Sequence, residues 1–163
     1  MAGASAQSCG TVRVVTVSSD AHYGAKSIDW ELQRPTATLA GFREYEVSKL
    51  ANVLFTRALA RRLAGAGVTT YALHPGTVAT DLWRKVPWPI RPLMKLGMLT
   101  PEQGAVTPVY CATAPELADQ TGLYYANSRA KEPSRLARDD SVADELWKRS
   151  ETWVADYLPP AEG

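Results

Sequence analysis

Two side chains that can share a proton stand four residues apart in this sequence, at Tyr45 and Lys49. Residues at that spacing on a helix lie one turn apart on the same face. An ammonium beside a phenol favours the phenolate. The tyrosine pKa, ordinarily ~10, is thereby lowered towards neutral pH, where the side chain can exchange a proton. A solvated helix face carries such pairs as well, and the spacing alone leaves both interpretations open.

Ser19 stands just after the valine-rich run Val12–Val17, which is typical of a strand buried in a parallel sheet. Open parallel sheets bind ligands at the carboxyl ends of their strands. A serine hydroxyl at that point can donate a hydrogen bond to a substrate carbonyl oxygen while Tyr45 gives up its proton. The alternative is that Ser18 and Ser19 simply begin a turn.

A third polar segment, residues 75–80, follows a second strand at the equivalent end. Gly76 lets the backbone approach a ligand closely. The amide of Val78 and the hydroxyl of Thr80 can bind a ring that carries an amide group. An ordinary turn from strand to helix is the alternative here.

The hydrophobic pattern predicts the elements that position these residues. Strands are predicted at Val12–Val17, 68–73 and 122–125, and helices at 43–64, 100–114 and 141–157. The second helix opens with a capping box from Thr100 to Gln103. Strands that alternate with helices predict an α/β fold with a parallel sheet and right-handed crossovers.

Helical spacing predicts which side of each helix is buried. The first helix has one apolar face formed by Val47, Leu50, Ala51, Leu54, Ala58 and Leu59. Its polar stripe of Tyr45, Lys49, Asn52 and Thr56 is expected on the opposite side. The last helix is expected to bury Val142, Leu146, Trp153, Val154 and Tyr157.

Composition excludes several classes of protein. The 163 residues are 45% hydrophobic and 21% charged, which is typical of one globular domain. A net charge of +1 gives no basic surface for nucleic acid. The sequence shows neither a signal peptide nor a run apolar enough to span a membrane, so an intracellular location is expected. Cys9 and Cys111 lack metal-ligand spacing. The sequence leaves open whether they form a disulfide, and a reducing compartment is the simpler expectation.

Taken together, these segments resemble the short-chain dehydrogenase/reductases. The resemblance is carried by Val17-Ser18-Ser19, Tyr45-Glu46-Val47-Ser48-Lys49 and His74-Pro75-Gly76-Thr77-Val78-Ala79-Thr80. Residues 48–56, with the His-Pro-Gly segment, are similar to the retinol dehydrogenase-like subgroup. The resemblance runs over about residues 13–158, and it implies the C-terminal portion of a Rossmann-type doubly wound parallel sheet.

The resemblance implies a role for each matching residue. Ser19, rather than Ser18, polarises the substrate carbonyl, and Tyr45 is the general acid in reduction and the general base in oxidation. Lys49 favours the phenolate and holds the nicotinamide ribose. The residues expected to seat the nicotinamide are Pro75, Gly76, Val78 and Thr80. The implied cofactor is NADP, with NAD as the alternative, and the implied substrates are apolar alcohols and carbonyls of the retinoid, steroid or lipid-aldehyde kind.

The chain also departs from the family pattern. Only residues 1–11 precede the first strand, and no Gly-x-x-x-Gly-x-Gly motif occurs in the chain. That motif binds the cofactor pyrophosphate, and the acidic or basic residue that separates NAD from NADP is missing with it. The family's first four strands and its relay asparagine are missing as well. We therefore expect a flexible N-terminus over 1–11, a partial catalytic domain over 12–158 and a tail over 159–163.

The missing parts lead to two further expectations. The isolated chain should bind NADPH weakly and turn over little. The unpaired edge of the first strand should favour self-association. The alternative function is a truncated, inactive fragment that acts by associating with another protein chain.

Residues 81–99 fall where the family places its substrate lid. The segment contains Trp83, Arg84, Lys85 and Trp88, and such aromatic and basic residues also suit contact with a membrane surface. We favour a loop that covers the site, because the prolines Pro87, Pro89 and Pro92 argue against one continuous amphipathic helix.

Overall fold

The computed structural model describes residues 12–30, 41–77 and 99–157, which form one sheet with helices on both faces. The strand order is β1 (Val12–Val17), β2 (Val68–His74), β3 (Leu123–Ala126) and β4 (Arg129–Ala130). The first three strands run parallel, as the sequence predicts, and β4 lies antiparallel to β3. The α/β fold is confirmed, although the prediction of three strands omitted β4.

The position of β2 in the sheet explains why it is so fully buried. It pairs with β1 from Val12↔Val68 to Val17↔Leu73 and with β3 from Tyr71↔Leu123 onwards. Residues 69–73 are all buried, because helices cover both faces of a central parallel strand. Its carboxyl end therefore lies between the carboxyl ends of β1 and β3.

Within the described residues, three α-helices connect and flank the strands. They are α1 (Phe42–Arg62), α2 (Pro101–Thr113) and α3 (Asp140–Val154). The capping box predicted for α2 is confirmed: Thr100 accepts a bond from the Gln103 amide, and the Gln103 side chain accepts one from Thr100. The Asp139 side chain caps α3 by accepting hydrogen bonds from the backbone amides of Ser141 and Val142.

The core has two parts, one on each face of the sheet. On one face α1 and α3 pack on the sheet around Leu50, Leu54 and Tyr124. On the other face α2 contributes Cys111 to a cluster with Tyr71, Leu73, Leu117 and Tyr125. This division is what a doubly wound sheet requires. Burial raises the pKa of the Cys111 thiol to about 11, against the opposing effect of the Arg13 guanidinium.

Two of the predicted helix faces need correction. Thr56 is buried rather than opposite the apolar face, because its carbonyl accepts a bond of 2.9 Å from the Thr70 hydroxyl of β2. Its own hydroxyl is satisfied within the helix by the carbonyl of Asn52. In α3 only the first two turns reach the core, so that Trp153 and Tyr157 are exposed instead of buried, and so is Val154.

Three predictions lie outside the described residues. They are the flexible N-terminus with Cys9, the tail at 159–163, and all but the last residue of the 81–99 segment. Among the helices that the structure describes, none combines the length and the apolar character needed to cross a membrane.

Candidate active site

The two serines after β1 have different environments. The Ser18 hydroxyl is buried and donates to the backbone carbonyl of Lys49 at 2.6 Å. Ser19 is half-buried and caps the short 3-10 turn Asp20–Tyr23, where its Oγ accepts a bond of 3.2 Å from the Ala21 amide. Since Ser19 uses its oxygen as an acceptor there, its own proton can still be donated to a ligand.

The polar stripe of α1 faces the edge of the sheet that is formed by the carboxyl ends of the strands. Tyr45 and Lys49 are both half-buried, and the Lys49 ammonium lies 5.4 Å from the centre of the Tyr45 ring. One turn further on, the Asn52 side-chain amide donates to the Val17 carbonyl at 3.0 Å. The bond from Asn52 ties this stripe to the end of β1, and it leaves both interpretations of Tyr45 and Lys49 open.

The third predicted segment meets the first at the end of β2. The Ser18 amide donates to the Leu73 carbonyl at 2.7 Å, which continues the sheet pairing past the last residue of β1. Pro75 and Gly76 follow and are half-buried. Gly76 has φ +91° and an added Cβ would lie 2.2 Å from the Leu99 side chain, so both backbone and space favour glycine. Val78 and Thr80 lie outside the described residues.

The structure thus brings the end of β1, the polar stripe of α1 and the end of β2 to one edge of the sheet. A bond joins each neighbouring pair: Ser18 to Lys49, Asn52 to Val17, and Ser18 to Leu73. The roles that the sequence assigns to Ser19, Tyr45 and Lys49 remain predictions, and their placement at this edge is compatible with them.

A polar network that sequence reasoning missed lies next to this edge. The Asp20 carboxylate accepts bonds of 2.9 Å from the Tyr124 hydroxyl and from the Lys131 ammonium. Burial acts to raise the Asp20 pKa, but the bonds from Lys131 and Tyr124 and the nearby His74 outweigh it, and the pKa is lowered. Burial and the bond to Asp20 together raise the pKa of the Tyr124 phenol far above its ordinary range.

Two histidines belong to the same region. His22 is fully buried; its Nδ1 donates to the Ser19 carbonyl at 2.7 Å, and its Nε2 accepts from the Ser134 amide at 3.1 Å. These partners require the neutral ring, and burial lowers the His22 pKa. Burial also lowers the pKa of His74, whose buried Nδ1 has no hydrogen-bond partner among the described residues.

A cavity of about 390 Å³ lies between residues 24–27 and the first turns of α1, and Ser19, Tyr45 and Lys49 are not among its lining residues. Its lining combines apolar Ala25, Phe42 and Val47 with charged Lys26, Arg43 and Glu46. Such a mixture suits a ligand that is largely apolar and carries a polar group.

Of the four residues in this network, only Asp20 and His22 had a signal in the sequence. Asp20 and His22 directly follow the serine pair, and a charged residue beside a predicted ligand edge deserves notice for that reason alone. Tyr124 and Lys131 gave no such signal, since their partner Asp20 lies 104 and 111 residues away.

Comparison with known proteins agrees with the fold and with the sequence motifs. No protein-family model matches the chain. The chain is 44% identical over 144 residues to "Dehydrogenase/reductase SDR family member 13" of Bos taurus, covering 85% of this chain and 38% of that protein. It is 42% identical over 149 residues to "Retinol dehydrogenase 14" of Homo sapiens, covering 87% and 44%.

A solved structure shares the fold. The crystal structure of an uncharacterised protein from Mycobacterium Paratuberculosis superposes with a TM-score of 0.63 and 28% identity, over 89% of this chain and 51% of that one. The chain spans less than half the length of the two curated relatives above. The shared fold, the three motifs and these identities place the chain in the short-chain dehydrogenase/reductase family, with retinol dehydrogenases among its relatives.

Proposed function

We propose that this chain is the substrate half of an oxidoreductase that interconverts an apolar alcohol and its aldehyde or ketone with a nicotinamide cofactor. The observation that carries the proposal is the bond from the Ser18 hydroxyl to the Lys49 carbonyl. It fixes the serine turn against the helix that bears Tyr45 and Lys49. Family membership supports the class of reaction.

The proposed chemistry assigns one step to each residue. In oxidation, the Tyr45 phenolate takes the hydroxyl proton of the alcohol. The hydride leaves the carbon that bears this hydroxyl and goes to the cofactor. In reduction, Tyr45 returns that proton to the carbonyl oxygen, and Ser19 donates a hydrogen bond to the same oxygen. Lys49 holds the ribose of the cofactor. When bound, the nicotinamide supplies the acceptor or donor of the hydride.

The residues present suit the nicotinamide end of such a cofactor. Pro75 and Gly76 place backbone without bulky side chains at the carboxyl end of β2, where a flat ring can approach. We infer that Val78 and Thr80 complete this seat. NADP is the proposed cofactor, with NAD as the alternative, since nothing in this segment reads the ribose phosphate.

The proposed substrates are retinoid, steroid or lipid-like. Two observations support an apolar substrate: the names of the relatives, and the apolar part of the cavity beside α1 formed by Ala25, Phe42 and Val47. The segment at 81–98 is proposed as the loop that covers the substrate, with contact to a membrane surface as the alternative.

A chimera gives the direct test. This chain would replace the aligned segment of human Retinol dehydrogenase 14, and oxidation of retinol with NADP would be followed by absorbance.

Tyr45→Phe should lower turnover by about 10²–10⁴-fold, because the proton acceptor is lost, while cofactor affinity is kept. Tyr157→Phe is the matched control, since Tyr157 is 86% exposed and far from the proposed chemistry in sequence. A chimera that turns over no apolar alcohol or carbonyl, or a Tyr45→Phe variant that works normally, would contradict the proposal.

One further observation favours a second candidate function, in which the chain acts by association. Among the described strands β1 pairs only with β2, and it exposes Val12 and Val17 at 57% and 47%. An open edge of this kind can pair with another chain. We propose self-association, or pairing with a complete homologue, as the role of the chain if it proves unable to bind cofactor.

A further inference from the structure

The turn that carries Ser19 is fastened to a part of the chain more than a hundred residues away. Lys131 and Tyr124 both donate to the Asp20 carboxylate, and the Ser134 amide donates to His22. The Tyr23 hydroxyl in the same turn donates to the Glu132 carbonyl. Every residue of the turn except Ala21 is thus bonded to β3 or to the segment that follows β4.

The Asp20 carboxylate is the centre of this arrangement. Its two oxygens are bound separately, Oδ1 by Tyr124 and Oδ2 by Lys131, each at 2.9 Å. A carboxylate held by two donors from different backbone segments cannot rotate freely, so the Cα atom of Asp20 is fixed as well. Lys131 is itself held, because its amide donates to the Tyr124 carbonyl at 2.8 Å and its ammonium lies 4.8 Å from the Tyr23 ring centre.

Ser19 is the residue next to this fixed point. Its carbonyl accepts bonds from both the amide and the Nδ1 of His22, and its Oγ accepts from Ala21. Whatever holds Asp20 therefore also sets the direction of the Ser19 side chain. A group that must meet a reacting oxygen within a few tenths of an ångström needs support of this kind.

We propose that Asp20 and Lys131 are positioning residues that hold the Ser19 turn in its working geometry before substrate or cofactor arrives. The link to catalysis rests on the proposed function of Ser19, whereas the fastening of the turn does not. Because all of these contacts are made within residues 19–134, the serine turn is organised by this chain alone.

The stability of the Ser19 turn can be measured without an activity assay, from amide hydrogen exchange rates of the ¹⁵N-labelled 163-residue chain. The informative amides are those of Ala21, His22 and Gly24, which bond within the turn to Ser19 and Ala21. Asp20→Asn and Lys131→Met should each speed their exchange by about five- to tenfold, which corresponds to losing one partly exposed charged hydrogen bond. The sheet amides of β2 should not change.

Rescue separates positioning from general destabilisation. Lys131→Arg keeps a cation that can reach the carboxylate and should exchange as the wild type does. The double variant Asp20→Asn/Lys131→Met should be no faster than either single variant, since both remove the same contact. Glu145→Gln is the matched control, because the Glu145–Arg149 pair of α3 has similar exposure.

The possible results decide the matter in either direction. Faster exchange confined to the turn, with rescue by arginine, supports the proposal even if the chimera proves inactive. Unchanged exchange in Lys131→Met overturns it, as does acceleration shared equally by turn and sheet. Lys131 is 43% exposed in its side chain, so Lys131→Met should keep the fold even if an Asp20 variant does not.

Discussion

At the scale of single residues, adjacent side chains around this edge have separate tasks. Ser18 gives its proton to a backbone carbonyl and joins β1 to α1, whereas Ser19 presents a half-buried hydroxyl at the surface of the turn. In the same turn Asp20 bonds to β3 and the segment after β4, while His22 bonds both to Ser19 within the turn and to Ser134 in that segment. A difference of one position therefore decides whether a residue supports the site or is offered to a ligand.

His22 should make stability depend on pH. Its folded-state pKa lies below the ordinary 6.5, because burial disfavours the charged ring and protonation would break the bond from the Ser134 amide. The unfolded chain therefore binds the proton more readily, and the free energy of unfolding should be level above about pH 6.5 and fall as the pH drops through the folded-state pKa. Thermal melts between about pH 7.5 and about pH 5.5 measure this slope.

Variants of the two histidines assign the slope. His22→Gln should lower stability by about 1–3 kcal/mol near neutral pH and flatten the pH dependence. His74→Gln is the comparison, because burial lowers that pKa too, yet its Nδ1 has no bond among the described residues to lose. The pKa values of Asp20, Asp139 and Asp144 are lowered from an ordinary 3.8, so these aspartates act only at more acid pH. An unchanged slope in His22→Gln would contradict this assignment.

At the scale of elements, the strands and helices were predicted better than their partners. The valine run of β1, the 3.6-residue period of α1 and the capping box of α2 are local signals, and each gave the right element. The two-residue strand β4 has no periodicity to detect. The buried side of Thr56 and the exposed end of α3 depend on where the sheet ends, which no local pattern records.

The site shows the same division between local and distant information. Ser19, Tyr45 and Lys49 could be proposed from the sequence, because a strand end and a helical spacing mark them. The pairing of Asp20 with Lys131 could not be found, since it depends on β3 lying two strands away from β1 in the sheet.

The turn between β3 and β4 has an unfavourable backbone conformation, and one substitution should remove this strain. Asn127 and Ser128 form its two-residue loop, with φ of 51° and 55°. Asparagine tolerates that region, but serine does not, and the Ser128 hydroxyl is buried without a partner among the described atoms. Ser128→Gly should raise the free energy of unfolding by about 1 kcal/mol, measured by urea denaturation.

The matched control for this prediction is Asn127→Gly, which should gain less because asparagine is already suited to a left-handed turn. The Ser128 amide keeps its bond of 3.1 Å to the Thr107 hydroxyl in either variant. A glycine at position 128 that destabilises the chain would show that the turn is not under strain.

At the scale of the whole molecule, the exposed apolar residues fall in different places. Val12 and Val17 lie on the outer strand β1, and Val106 and Val109 lie on the outward side of α2, at 58% and 56% exposure. Only the strand offers backbone groups that can pair with a second chain.

Self-association should therefore depend on β1. Sedimentation velocity at several concentrations should show association of the wild-type chain, and Val12→Lys should weaken it, because a charge on an edge strand opposes pairing. Val106→Lys changes an equally exposed valine on α2 and should have no effect. A wild-type chain that stays monomeric at every concentration would rule out the idea, and a stronger effect of Val106→Lys would move the contact to the helix.

The fastening of the Ser19 turn also fixes when the turn can form as the polypeptide is made. Asp20 is synthesised before its partner Lys131, which is added 111 residues later. At typical rates of synthesis, roughly 5–20 s pass between the two. Until then the Asp20 carboxylate lacks the bond from Lys131, although its other donor, Tyr124, is added earlier. A nascent chain arrested before residue 131 can thus contain the whole Ser19, Tyr45 and Lys49 motif and still lack the contact that orients its serine.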